Sequence, residues 1–162
     1  MDQEALLKQF VGRWHGTGRG AYPTIAPFDY TEDLAIIATH KPTILQYDVR
    51  TIKSLPDGTR APSHLELGFI RLRDDGSIEW ANVQSGGRVE VLVGRIESRD
   101  GGILVALKPS LLGNDERMKD SARVFTLTGD ILEYQQDMAL VNVPGLQFHT
   151  TATLYRLPTT MT

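Results

Sequence analysis

The chain has 162 residues, 41% of them hydrophobic, enough to bury a core in one domain without covalent staples. A net charge of −3 makes no electrostatic case for nucleic acid or an anionic membrane as partner, and no apolar run approaches the roughly 20 residues of a spanning helix. Cysteine is absent, which excludes disulfides and thiolate metal ligands; the acidic start Met1-Asp2-Gln3-Glu4 lacks the basic region and apolar core of a secretory signal, so a cytoplasmic location is expected.

Between about Asp2 and Phe10, Leu6, Leu7 and Phe10 recur at helical spacing, which predicts a short N-terminal helix ending before Gly12. From Gly12 onward the punctuation is that of an all-β protein. Pro23, Pro56-Asp57-Gly58, Asp74-Asp75-Gly76, Gly86-Gly87, Asp100-Gly101-Gly102, Gly129-Asp130 and Pro144-Gly145 divide short extended runs. These runs predict about ten strands, near residues 12–20, 29–39, 43–53, 63–73, 77–84, 87–98, 102–109, 121–128, 130–140 and 147–157. Sequential strands joined by tight turns avoid exposed edges most simply by closing, so the expected fold is a ten-stranded antiparallel up-and-down β-barrel. Since even eight strands can enclose one small ligand, ten predict a cavity.

The first strand carries the most specific segment, Gly12-Arg13-Trp14-His15-Gly16-Thr17-Gly18-Arg19-Gly20-Ala21-Tyr22-Pro23-Thr24-Ile25. Strand alternation puts Trp14, Gly16, Gly18 and Gly20 on one face, one bulky plug followed by three bare backbone positions. Glycine weakens a strand, so the expectation is that something large approaches that backbone closely.

The pattern Gly-x-Trp-x-Gly-x-Gly-x-Gly-x-Tyr-Pro-Thr-Ile resembles the opening motif of the nitrobindins, small β-barrels that bind b-type haem. Further matches follow in order: Lys41-Pro42, Tyr47, Arg50-Thr51, Glu66-x-Gly68-Phe69-x-Arg71, Gln84-x-Gly86, Gly129-Asp130, Met138-Ala139 and His149-x-x-Ala152-x-Leu154-x-Arg156. The resemblance covers nearly the whole chain. It implies one haem b per chain in a lipocalin-like or fatty-acid-binding-protein-like barrel, isomerisation of peroxynitrite to nitrate, and nitric oxide binding, in a monomer or homodimer. A non-catalytic carrier or sensor of haem or another hydrophobic ligand is the alternative, because the same barrel serves both. Trp14 on the first strand and Arg156 on the last match the Trp capped by Arg at the closed end of lipocalin-like barrels.

Of the four histidines, His149 matches the segment that supplies the family's axial haem ligand, and a neutral imidazole is the commonest protein donor to haem iron. Strict alternation is a difficulty, because His149 then shares a face with Thr151 and Thr153 while Ala152 and Leu154 take the other. A bulge near Thr150-Thr151 would reconcile the two sets, as would a haem lying at the barrel mouth. His64 aligns with a distal histidine of some family members and is equally readable as a rim residue; His15 and His40 read as exposed. The resemblance places Thr24, Ile25, Phe28, Gln84 and Met138 around the haem, with ordinary core packing the other reading of Met138. Lys108, Arg117, Lys119 and Arg123 are candidates to meet its propionates, and Lys119 alone has a family hint. Hydrolase elbows, P-loops and His-Glu-x-x-His zinc motifs are all absent.

Overall fold

The computed structural model describes residues 2–159. A short helix α1 (Gln3–Lys8) precedes ten strands: β1 (Gly12–Tyr22), β2 (Ile25–Ala38), β3 (Ile44–Ser54), β4 (Arg60–Leu72), β5 (Ile78–Gln84), β6 (Val89–Arg99), β7 (Gly102–Gly113), β8 (Met118–Thr128), β9 (Ile131–Leu140) and β10 (Val143–Arg156). Each strand pairs antiparallel with its sequence neighbours, and β1 pairs with both β2 and β10, so the sheet closes without an edge. The expected all-β barrel with its N-terminal helix is therefore what the chain forms.

Local chemistry sets the connections. Strands β6 and β7 are joined through Asp100 and Gly101, both at positive φ (40° and 82°), the two-residue turn whose twist suits a hairpin. Along β5 the side chains of Ile78, Trp80, Asn82 and Gln84 are buried and those between them are not, the period-two pattern of a strand with one face inward.

One end of the barrel is closed and apolar. Leu6, Leu7 and Phe10 of the helical segment pack with Trp14, Leu92, Val105, Leu132 and Leu154 in the main core. Trp14 donates from Nε1 to the Phe10 carbonyl at 3.0 Å, and the Arg156 guanidinium lies 4.1 Å from its ring centroid while binding the Gln9 and Val11 carbonyls and Asp130. Arg156 thus ties the helix exit, β1 and the β8–β9 turn together, as its pairing with Trp14 predicts.

The glycines of β1 work differently from expectation. A Cβ on Gly16 would lie 2.0 Å from the Thr153 carbonyl oxygen, one on Gly18 would lie 2.3 Å from Cζ of Tyr30, and one on Gly20 would lie 2.2 Å from Cζ of Phe28. The room is taken by the β10 backbone and by two aromatic rings of β2. What approaches the bare backbone is the protein itself.

At the other end the ladders are broken. Two residues, Ser63 and His64 of β4, lie opposite one, Thr51 of β3; His149 is the extra residue of β10 against β9; Ser110 is extra on β7 and Lys119 on β8. Clustered bulges of this kind mark barrel rims and re-aim side chains.

Candidate functional site

The open end leads into a chamber of about 390 Å³ inside the barrel. Ile25, Phe28, Lys53, Ser63, Arg88 and His149 lie among its lining residues, as do the polar side chains Glu32, Glu66 and Arg123.

His149 owes its position to the bulge. Phe148 pairs with Asp137 and Thr150 with Gln136, leaving His149 unpaired between them, so His149 and Thr150 both line the chamber while Ala152 and Leu154 remain buried. This resolves the conflict of faces one residue earlier than Thr150-Thr151. Nδ1 of His149 makes a long hydrogen bond (3.4 Å) to the Ala21 carbonyl, and the Tyr22 ring meets the imidazole edge-on at 5.9 Å. Because a carbonyl only accepts, Nδ1 carries the proton and Nε2 keeps its lone pair, with no hydrogen-bond partner among the described residues. Burial pushes its pKa down, so the ring is neutral at physiological pH. A half-buried, neutral imidazole, oriented through its other nitrogen, has the donor chemistry of a metal or haem ligand.

Beneath it is a buried charged cluster. Glu66 accepts four hydrogen bonds: from Tyr47 (2.6 Å) and Arg123 Nη1 (2.7 Å) on Oε1, and from Arg123 Nη2 (3.1 Å) and His64 Nε2 (3.2 Å) on Oε2. Burial alone raises its pKa, but the Arg123 charge and the hydrogen bonds from His64 and Arg123 outweigh it and hold the carboxyl far below its usual range. An ionised carboxylate only accepts, so His64 donates from Nε2 and its Nδ1 is the nitrogen left over. Arg123 Nη2 also binds Glu90 at 2.6 Å. Over this cluster Trp80 stacks on Phe125 at 4.5 Å, with Tyr47 edge-on to Trp80 at 5.0 Å.

The other residues drawn from the sequence are distributed unevenly. Gln84 lines the chamber from β5, and Phe28 and Ile25 line its mouth. Thr24 is exposed in the turn between β1 and β2 and is not part of the wall. Met138 packs with Tyr22 and Met118 in a separate small cluster, because register shifts flank this end of β9; it stands behind Tyr22 and off the chamber wall. The bulge at Lys119 leaves that residue exposed on the outside, and Arg117 is committed to Asp115, so neither faces the chamber. Arg123 faces it, but as the counterion of Glu66 and Glu90. Two cations at the mouth were not singled out in the sequence: Lys53, 4.4 Å over the Phe28 ring, and Arg88, held by Asp115 at 2.9 Å. His15 is exposed against Asp33, and His40 is exposed.

The arrangement suits a flat, largely apolar group with acidic edges. Such a group finds an imidazole lone pair, aromatic and aliphatic walls, and cations at the rim.

Comparison with known proteins agrees. Residues 5–156 match the model of the "THAP4-like, heme-binding beta-barrel domain" family. An Arabidopsis thaliana protein named peroxynitrite isomerase Rv2717c is 39% identical over 153 residues, covering 94% of this chain and 88% of that protein. Peroxynitrite isomerase 1 of Mycolicibacterium paratuberculosis is 35% identical over 155 residues, covering 94% and 93%. The crystal structure of Rv2717c from M. tuberculosis superposes with a TM-score of 0.84 at 29% identity, covering 98% of this chain and 99% of that one. The chain belongs to the nitrobindin family of haem-binding β-barrels.

Proposed function

We propose that this chain is a haem protein that isomerises peroxynitrite to nitrate, with one haem b per chain held by His149 and with nitric oxide as a further ligand. The observation that carries the reading is the bulge at His149, which turns a neutral imidazole with an unpartnered Nε2 into the chamber. When bound, haem would supply the iron chemistry that rearranges peroxynitrite.

The side chains have a restricted task. Peroxynitrite and nitrate have the same atoms and the same charge, so no residue needs to supply or remove either. His149 Nε2 would be the ligand to the iron, with the imidazole oriented by the Ala21 carbonyl and the Tyr22 ring. Phe28 and Ile25 would give a bound haem apolar wall, and Lys53 and Arg88 would be the cations to meet its carboxylates. The bonded state of Glu66 leaves it no free lone pair for general-base work, in keeping with a reaction that needs none.

Stopped-flow decay of peroxynitrite tests the activity. Ferric haem-loaded protein accelerates decay to nitrate, and the acceleration disappears in the haem-free protein and when cyanide occupies the iron. Equal decay with and without the loaded protein leaves a haem carrier as the reading.

A further inference from the structure

Glu32 has no part in the mechanism above, yet it is a fully buried acidic residue, 2% exposed, on the chamber wall. Its flanking partners on the sheet are Gly16 of β1 and Thr51 of β3, neither of which carries a charge. The cation of the chamber floor, Arg123 on β8, makes its hydrogen bonds to Glu66 on β4 and Glu90 on β6. His64 on β4 is also turned to Glu66. From β9 the Tyr134 hydroxyl meets Oε2 of Glu32, and Tyr30 of β2 lies 2.8 Å beyond it, oxygen to oxygen. Asp33, next in β2, is outside and paired with His15. Lys53, Arg88 and His149 are the ionisable groups of the mouth. Glu32 therefore makes no ion pair, and an ionised carboxylate there would be buried with one phenol for support.

The second oxygen, Oε1, has no protein hydrogen-bond partner among the described residues and opens on the chamber. The phenols behind Oε2 work in either direction. With Glu32 in the acid form, its Oε2–H can donate to the Tyr134 oxygen, Tyr134 donates to Tyr30, and Tyr30 donates to the Thr151 carbonyl 3.2 Å away. With the proton turned to the chamber side, Tyr134 donates back to Oε2. Each arrangement satisfies the chain, so the proton can be offered inward at little cost.

We propose that Glu32, backed by Tyr134 and Tyr30, is a hydrogen-bond donor subsite of the chamber, whose acid-form carboxyl offers its proton through Oε1 to an anionic oxygen of the occupant. The oxygen can belong to a haem carboxylate or to a small oxyanion beside the haem. The inference rests on the chamber being the haem site. Burial, which raises the pKa of Glu32 to about 8, supports the acid form. An occupant that accepts this proton also displaces water, and so holds the carboxyl protonated at pH values where the empty chamber would lose it.

Infrared difference spectroscopy reads the carboxyl directly, and isotope-labelled glutamate identifies the band without any substitution. The haem-free protein at pH 7 shows a protonated carboxyl band that disappears in Glu32→Gln and titrates near pH 8. On loading with hemin the band shifts as its proton becomes hydrogen-bonded. If hemin dimethyl ester produces no shift, the acceptor is a haem carboxylate; if the shift appears only when nitrate is added to the loaded protein, it is a small oxyanion. Absence of the band at pH 7 in the haem-free protein overturns the proposal, and so does a band that neither hemin nor nitrate moves. The first result is read without haem, so a failure of haem binding is a separate outcome that counts against the function and not against the state of Glu32. Tyr134→Phe, which leaves the carboxyl in place, should move the band without removing it.

Discussion

Replacing Arg123 by methionine removes the guanidinium shared by two buried carboxylates and leaves Glu66 with Tyr47 and His64 alone. The guanidinium, 5% exposed, makes hydrogen bonds of 2.7 and 3.1 Å to Glu66 and 2.6 Å to Glu90. Breaking a buried ion pair from one side costs about 3–5 kcal/mol, because the remaining charge is left without solvent or partner. For a domain of this size, with about 2–4 °C of melting temperature per kcal/mol, that is a fall of roughly 6–20 °C. The pH dependence of the Glu66 contribution changes sign as well. In the parent, Glu66 is held below its ordinary value of 4.5, so its contribution is complete above that pH and is lost as the pH falls towards the folded-state value. In Arg123→Met, Glu66 keeps only its hydrogen bonds from Tyr47 and His64, burial then outweighs them and raises its pKa, so its contribution to stability declines as the pH rises above 4.5. Urea midpoints at pH 5 and pH 8 measure both effects. A loss below about 1 kcal/mol, or a larger loss at pH 5 than at pH 8, refutes the electrostatic reasoning. Adding Glu66→Gln and Glu90→Gln to the variant should recover much of the stability, since the uncompensated charge is then gone.

Gly16→Ala puts a Cβ within 2.0 Å of a backbone carbonyl that cannot swing aside, and should destabilise by about 1–3 kcal/mol in denaturant titration; unchanged stability means that the β1 glycines are not packing positions. Glu32 stays protonated in the fold up to about pH 8 while the unfolded chain ionises near 4.5, so parent stability falls across that window and levels off above it. Glu32→Gln should flatten this part of the urea-midpoint profile, and an unaltered slope refutes the assignment. Arg156→Ala removes the cation over Trp14 and the hydrogen bonds to the Gln9 and Val11 carbonyls, and should cost about 1–3 kcal/mol while leaving hemin affinity unchanged, because the closed end is remote from the mouth.

Most of the barrel was legible because alternation and turn residues are local signals. Three boundary errors share a feature: β2, β4 and β10 begin at Ile25, Arg60 and Val143, earlier than expected. Each extension contains a proline, Pro27, Pro62 or Pro144, and near bulges at a rim proline is tolerated inside a strand. The same bulges explain the site. His64 and His149 reach the chamber because the ladder slips at those residues, and no periodicity predicts a slip. Resemblance found them where alternation failed. The charged floor was seen only in part, Arg123 being read as a propionate partner: Glu32, Glu66 and Arg123 lie in strand registers that place them inward, beside Tyr30, Ile70 and Phe125. A charge in core register was the available signal. Met138 and Lys119 were misplaced because position in a family motif does not fix which way a side chain turns at a shifted rim.

The central claim is that His149 is the axial ligand, and a hemin titration followed by absorption spectroscopy tests it most directly. The parent should give a one-to-one complex with the strong Soret band of imidazole-ligated haem. His149→Leu should keep the β-barrel circular dichroism and lose that spectrum along with most of the affinity, since the bulge belongs to the strand register and the ligand to the ring. A His149→Leu protein with the parent's ferric spectrum and affinity would contradict the account.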